Sequence, residues 1–393
     1  MKVLAIGGSG GMGRATVRAA LTFDFISEIV VAGIDSKLAE RFVDSLNDPR
    51  VRAIYLDVMD DNNLREEIRE VDVVLNSAGP FFRFGVPILT AAIDEGKHYC
   101  DICDDWQPTV EMLKLSERAK NNNVTAVIGL GASPGIANLL CVKAATALDE
   151  VDTIVSAWKL SGAVNDDDGF NLSPTENHVD AAAVHLIHCL SESIRVLQDG
   201  EVIETTPLQQ TQIDFPADTS SSERVLDVWS LGHPEAITLV RRFPELKNCY
   251  NGMLGIGGIV DNLRQIAAAV ATNQLSVDDA ARMLTDNGGR QARQTHLAET
   301  ERQDIPNILA YAAGQKNRQT ATAGAFIKHY PSGGMATITG IPQALFLPIL
   351  HRDHLQQHGV FAPEEVINPD VFFELLDPFC GANGAGLTVL TSN

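Results

Sequence analysis

Five glycines fall within the seven residues from Gly7 to Gly13, directly behind the apolar run Val3 to Ile6. Gly8, Gly10 and Gly13 spell G-x-G-x-x-G, with Ser9, Gly11 and Met12 in the intervening positions. Between a strand and a helix this spacing makes a cradle for a pyrophosphate. The first glycine allows a tight turn, the second lets the backbone approach the phosphates, and the third lets helix and strand pack closely. Orphan amides at the helix N-terminus then face the anion.

Other residues stand where such a cradle needs partners. Asp35 lies about 20 residues beyond Gly13, the distance expected of a carboxylate that reads the adenosine ribose. A carboxylate there repels a 2′-phosphate, which favours NAD over NADP, although Lys37 and Arg41 follow. Asp35 reads equally as the N-cap of a helix over 36–47. Asp57 and Val58, after the third predicted strand, stand where such folds touch the adenine edge; Asp57 reads equally as a solvated turn residue. Asn76, Ala78 and Gly79, in Asn-Ser-Ala-Gly-Pro, close the fourth strand at the edge where ligands collect and allow close approach of the nicotinamide half.

Other chemistries fit less well. None of the five tyrosines (Tyr55, Tyr99, Tyr250, Tyr311, Tyr330) has a lysine four residues on, which disfavours a Tyr-Lys short-chain dehydrogenase. His98, Cys100 and Cys103 include a Cys-x-x-Cys pair, but no second pair follows at comparable spacing, so the segment reads as a buried strand end. His185, His188 and Cys189 fall on a predicted helix, and no metal is expected. Gly-Ile-Gly-Gly at 255–258 has no clear strand leading into it and reads as a loop. His233 can exchange a proton near neutral pH, and Glu235 shares its face if the segment is extended. His233 reads equally as a satisfied structural histidine.

The elements that must position these residues alternate through the first third of the chain. Strands are predicted at 3–6, 29–32, 51–56, 71–75, 98–102 and 125–130, and helices at 11–22, 36–47, 61–69, 84–95 and 106–121. This rhythm predicts an α/β fold with a doubly wound parallel sheet. The pattern changes after Pro134. An alternating TIVSAW (153–158), a polar loop (164–177), a helical stretch (179–197), a hairpin around Asp199-Gly200 and a serine-rich loop (216–223) indicate an α+β domain with a mixed or antiparallel sheet. The boundary is expected near 132/133.

A chain of 393 residues that is 45% hydrophobic can fill two cores. Its net charge of −21 argues against nucleic acid and anionic membrane surfaces as partners. The apolar run begins at residue 3 without a basic region before it, and six cysteines are sparse for this length, so a reduced, cytoplasmic setting is expected.

The glycine loop, together with NSAGPFFRFGVPILTAAIDEGKHYCDICDD (76–105), GLGASPGIANLL (129–140), LGHPEAITL (231–239) and GVFAPEEVINPDVFFELL (359–376), resembles the saccharopine dehydrogenase-like family of NAD(P)-dependent oxidoreductases. The resemblance implies a Rossmann domain over 1–132 completed by 360–393, and a domain over 133–359 for substrate contacts and dimerisation. It implies hydride transfer between nicotinamide and the carbon of a C–N bond in an amino acid or derived secondary amine. Alternatives are a lysine 6-dehydrogenase-type deaminase and a non-catalytic NAD(P) sensor. Asp101 would sit beside the nicotinamide. An arginine clamp on the substrate carboxylate is expected, with Arg83 first and Arg224 second. Asp101 and His233 are the candidates for proton transfer.

Overall fold

In the computed structural model, residues 1–159, 181–216, 224–254, 257–285, 305–352 and 355–392 are described; the polar loop expected at 164–177 and nearly all of the serine-rich loop lie outside them. In chain order the elements begin β1 (Lys2–Ile6), α1 (Gly11–Ala20), β2 (Glu28–Gly33), α2 (Ser36–Leu46), β3 (Val51–Tyr55), α3 (Asp61–Arg69), β4 (Val73–Asn76), α4 (Phe81–Asp94), β5 (His98–Asp101), α5 (Trp106–Leu113), α6 (Ser116–Asn121) and β6 (Thr125–Val127). There follow α7 (Ile136–Ala145), β7 (Glu150–Lys159), α8 (Ala181–Ser191), β8 (Ile194–Gln198), β9 (Glu201–Thr205), β10 (Gln210–Phe215), β11 (Arg224–Leu231), α9 (Glu235–Arg242), β12 (Asn248–Leu254), α10 (Gly257–Ala271), α11 (Val277–Thr285), β13 (Ile308–Lys316) and β14 (Gln319–Phe326). The chain closes with α12 (Gly334–His351), β15 (Gly359–Phe361), α13 (Pro363–Val366), α14 (Pro369–Leu376) and β16 (Thr388–Thr391).

The first compact unit comprises residues 1–139 and 329–385. Its seven strands run in the order β15-β6-β5-β4-β1-β2-β3, and every pairing is parallel. β1, β2 and β4 are buried along almost their whole length, as strands covered on both faces must be. Leu4, Ile6, Val30, Val74, Tyr99 and Ile88 belong to its core. The order reverses between β1 and β4, and at such a switch point the carboxyl ends of the strands open a crevice for ligands. Asp60 caps α3 by accepting the Asn63 amide at 3.3 Å, and Gly96 follows α4 at φ +67°, as the sequence predicts.

The second unit comprises 140–328 and 386–393. Its nine-stranded mixed sheet runs β10-β11-β12-β7-β13-β14-β16, with β8 bridging β12 and β9. β12 and β7 are parallel, whereas the hairpins β8-β9 and β13-β14 are antiparallel. The β8-β9 turn falls at Asp199-Gly200, both with positive φ, as the sequence predicts.

Several boundaries differ from the sequence reading. The return to the first unit begins at His329 rather than residue 360, because α12 crosses α1, and the last residues pair through β16 with β14 in the second sheet. The expected helix over 106–121 is two helices, and the one over 179–197 ends at Ser191 before β8. A strand does lead towards the Gly-Ile-Gly-Gly segment: β12 ends at Leu254 and α10 starts at Gly257. Among the described residues no helix is long and apolar enough to cross a membrane.

Candidate functional site

The glycine loop leaves β1 through Gly7, whose φ of +74° and whose amide bond to the Ala32 carbonyl (2.8 Å) make the tight turn. A Cβ at Gly7 would stand 2.8 Å from the Ala78 nitrogen, so the loop lies directly against the turn after β4. Gly7 was not among the residues singled out from the sequence; the turn assigned to Gly8 belongs to it. The close-packing role of Gly13 is clear: a Cβ there would fall 2.2 Å from the Gly7 oxygen and 2.7 Å from the Gly8 Cα. Gly10 caps α1 in an extended conformation, and its Cβ would meet only the Gly7 oxygen, at 3.2 Å. Gly11 borders open space. The buried Arg14 holds the loop from beneath, donating from Nη1 to the Ser9 carbonyl at 2.9 Å. The amides of Gly11, Met12 and Gly13 belong to the first turn of α1, where no intrahelical acceptor serves them. A bare-backbone cradle with such donors fits a dinucleotide pyrophosphate.

The residues at the ends of β2 and β3 are engaged locally. Asp35 caps α2, its Oδ1 accepting the Leu38 amide at 2.9 Å, and it is exposed. Asp57 accepts the Met59 amide at 2.9 Å, which is the turn alternative, and Val58 packs against the core.

At the ends of β4 and β5 a buried polar network ties the strands together. Asn76 donates from Nδ2 to the Tyr99 hydroxyl (3.0 Å) and accepts the Ala78 amide on Oδ1 (3.0 Å). The Tyr99 hydroxyl donates to Oδ2 of Asp101 at 2.9 Å. Oδ1 of Asp101 accepts the amides of Cys103 (3.0 Å) and Gly129 (2.7 Å). Asp101 is therefore wholly buried and hydrogen-bonded through both oxygens, a fastening between β5 and the strand beyond it. That geometry corrects the expectation of an acid or base beside the nicotinamide, since its carboxylate has no open face for a substrate. The sequence reading also missed Gln343 of α12, whose side chain is buried among the same strand ends and donates to the Asn76 carbonyl at 2.9 Å. No motif marks it; only the packing of α12 brings it there.

Burial pushes the Asp101 carboxyl from 3.8 up to about 6, against the pull of its three donors. A folded-state value above the unfolded one means that the folded state binds the extra proton, so this group's contribution falls as pH rises from about 4 to about 6 and is level above that. Asp101→Asn is expected to flatten that part of the pH–stability curve. Urea midpoints measured across the window test it, and an unchanged slope would show that the proton is held elsewhere.

Cys100 and Cys103 are buried thiols pushed well up by desolvation, and His98 accepts the Thr125 amide at 3.1 Å, so the segment is a strand end. Arg83 is exposed on the first turn of α4, four residues after Gly79, with its guanidinium 5.1 Å from the Phe84 ring centroid. Arg224 begins β11 in the second unit and is exposed there, opposite Phe215.

His233 also belongs to the second unit. It is 6% exposed and follows β11 immediately before α9. Its Nε2 lies 3.3 Å from Nε2 of His185, which itself stands 3.2 Å from Sγ of Cys189. Sγ is also 3.6 Å from the Gly232 carbonyl. Nδ1 of His233 is 3.8 Å from Oε1 of Glu235, within ion-pair range but too long for a hydrogen bond. Glu235 is wholly buried and accepts Nδ2 of Asn251 at 3.0 Å. Burial pushes the Cys189 thiol up, but His185 and then His233 bring it below its usual range. The arrangement is a histidine-cysteine-histidine cluster, with Glu235 beside His233 as the sequence suggests.

Residues 3–127 match the family model described as "Saccharopine dehydrogenase NADP binding domain". The chain is similar along its whole length to apo saccharopine dehydrogenase (L-Glu forming) from Saccharomyces cerevisiae, with a TM-score of 0.65, 16% identity and 100% of both chains covered, a likeness of fold. A structure of Pen from Bacillus thuringiensis aligns over 32% of this chain and 49% of that one, with 16% identity and a TM-score of 0.29. Among curated proteins, the "Lipid droplet localized protein" of Caenorhabditis elegans is 31% identical over 80 residues, 20% of this chain and 18% of that protein, so the match spans less than a fifth of the relative's length. Residues 3–127 are thus similar to the saccharopine dehydrogenase NADP-binding domain, and the chain shares its fold from end to end with a saccharopine dehydrogenase.

Proposed function

We propose that this protein is an NAD(P)-dependent oxidoreductase that moves a hydride between nicotinamide and the carbon of a C–N bond in an amino acid or an amino-acid-derived secondary amine. The observation that carries this reading is the bare-backbone cradle of residues 7–13 at the β1/β4 switch point, inside a matched NADP-binding domain. When bound, the cofactor gives or takes the hydride. The amides of Gly11, Met12 and Gly13 hold its pyrophosphate, and the Asn76-Ala78-Gly79 turn, braced by the Asn76 side chain, receives the nicotinamide ribose. Arg83, exposed beside that turn, takes the substrate carboxylate in a bidentate pair. Turnover screened by absorbance of the reduced cofactor, over amino acids and over oxo-acid and amine mixtures, tests the reading. Arg83→Ala is expected to raise KM for the carboxylate substrate about 10- to 100-fold, the worth of a charge-assisted hydrogen bond, without changing nucleotide affinity. An unchanged KM would remove Arg83 from the site.

Asp35 at the β2 end supports a preference for NAD. Asp35→Asn is expected to shift relative affinity towards NADP by about fivefold, the scale of one like-charge contact near water. Calorimetric titration of both nucleotides checks this, and no shift would leave Asp35 as a helix cap alone. The burial of Asp101 behind three hydrogen bonds favours a second reading, a nucleotide sensor that moves no hydride. Binding of either nucleotide with no turnover across the screen would select it.

A further inference from the structure

We propose that His185, Cys189 and His233 form a binding site for a transition-metal ion, best suited to Zn²⁺, in the second unit. His185 and Cys189 are four residues apart on α8 and so share one face of that helix. The third ligand arrives because Gly232 has no side chain: a Cβ there would lie 2.9 Å from Ile194 Cγ2 and 3.5 Å from the Cys189 Cα. Glycine thus lets the loop carrying His233 come up to α8 at backbone distance.

The donor atoms all lie within 4.8 Å of one another. Bond lengths to tetrahedral zinc imply edges of about 3.4 Å between two imidazole nitrogens and about 3.6 Å between nitrogen and thiolate sulfur. The observed edges are 3.3 Å for His185 Nε2 to His233 Nε2, and 3.2 Å for His185 Nε2 to Cys189 Sγ. Hydrogen bonding explains this convergence poorly. Nε2 of His185 carries either one proton or one lone pair, so it can serve one of its two neighbours but not both. A cation at the centre takes a lone pair from each of the three.

The surroundings match a metal centre as well. Nδ1 of His233 faces the buried carboxylate of Glu235, the outer partner that ligating histidines commonly have, and Asn251 holds that carboxylate in place. A dipositive ion would counter the charges of the thiolate and of the Glu235 carboxylate, which offsets part of the penalty of burying those anions. One thiolate with two imidazoles favours zinc over hard cations, and a water completes the tetrahedron.

Tag-free full-length protein, purified without chelator, is expected to carry about one zinc per chain by elemental analysis. After exchange into Co²⁺ it should show a thiolate-to-cobalt charge-transfer band that Cys189→Ser abolishes. Added Zn²⁺ should raise the melting temperature of the stripped wild-type protein but not that of Cys189→Ser or, should that variant fail to fold, of His185→Gln. Folded wild-type protein that retains no zinc, gives no such band and melts alike with and without Zn²⁺ would overturn the site.

Discussion

Gly13→Ala is expected to destabilise the first unit by about 1–3 kcal/mol and to remove detectable nucleotide binding. The added Cβ would sit 2.2 Å from the Gly7 oxygen and 2.7 Å from the Gly8 Cα, and both are backbone atoms that no rotamer change can move aside. Either α1 must back away from the β1 turn or the turn must open, and each displaces the amides that form the cradle. Alanine's better helix propensity, worth up to about 1 kcal/mol, acts in the opposite direction and offsets only part of the clash. Two neighbours separate folding from binding. At Gly11 a Cβ meets open space, so Gly11→Ala should keep both stability and affinity. At Gly10 the nearest atom to a Cβ is 3.2 Å away and the backbone is ordinary, so Gly10→Ala should fold. In the proposed binding mode its methyl group, however, would stand in the path of the pyrophosphate, and affinity should fall by about 100-fold, roughly 2.7 kcal/mol. Thermal melts and calorimetry on the three variants check this ordering. A Gly13→Ala protein that melts and binds like wild type would disprove the packing argument, and full affinity in Gly10→Ala would move the cofactor off this loop.

Much of the first sheet could be read from sequence because its information is local. Short apolar runs separated by single amphipathic helices leave few alternatives, and Asp60 and Gly96 mark helix ends by their own side-chain and backbone preferences. What stayed hidden depends on distant partners. β15 is only three residues long and is a strand because it pairs with β6, over 200 positions earlier in the chain. α12 carries Gly340, Pro342 and Pro348, which local propensity opposes. The structure explains Gly340, where a Cβ would lie 2.3 Å from the Met12 oxygen, so the crossing of α12 over α1 requires glycine. The His-Cys-His cluster divides in the same way: the spacing of His185 and Cys189 is visible on one helix, whereas His233 comes from 48 residues beyond His185. Asp101 was placed correctly at the end of β5, but sequence gives no sign of how many donors a buried carboxylate will meet.

Replacing Gln343 with leucine is expected to cost about 3 kcal/mol and to weaken nucleotide binding in parallel. The side chain is wholly buried, and every hydrogen-bonding position on its amide is used. Nε2 donates to the carbonyls of Asn76 (2.9 Å) and Cys100 (3.2 Å), while Oε1 accepts from Ser77 Oγ (2.8 Å) and Thr16 Oγ1 (2.9 Å). One residue therefore joins the carboxyl ends of β4 and β5 to α1, the three elements that frame the candidate nicotinamide site. Leucine approximates the volume but strips donors from two carbonyls and an acceptor from two hydroxyls. Thr16 can fall back on the carbonyls of Gly340 (2.9 Å) and Met12 (3.1 Å), and half-buried Ser77 can turn towards water, so the main loss lies at the strand carbonyls. Gln343→Glu is a sharper probe. A buried glutamate facing two carbonyls takes up a proton, which restores one donor, and its folded-state pKa rises above the unfolded one. Its stability should then approach that of wild type in acid and fall as pH rises through that raised value, whereas the leucine variant should lack this added pH dependence. Urea unfolding of the two variants from pH 5 to pH 8 reads the difference. Should the leucine variant unfold within about 0.5 kcal/mol of wild type, the network is not what holds the strand ends in register.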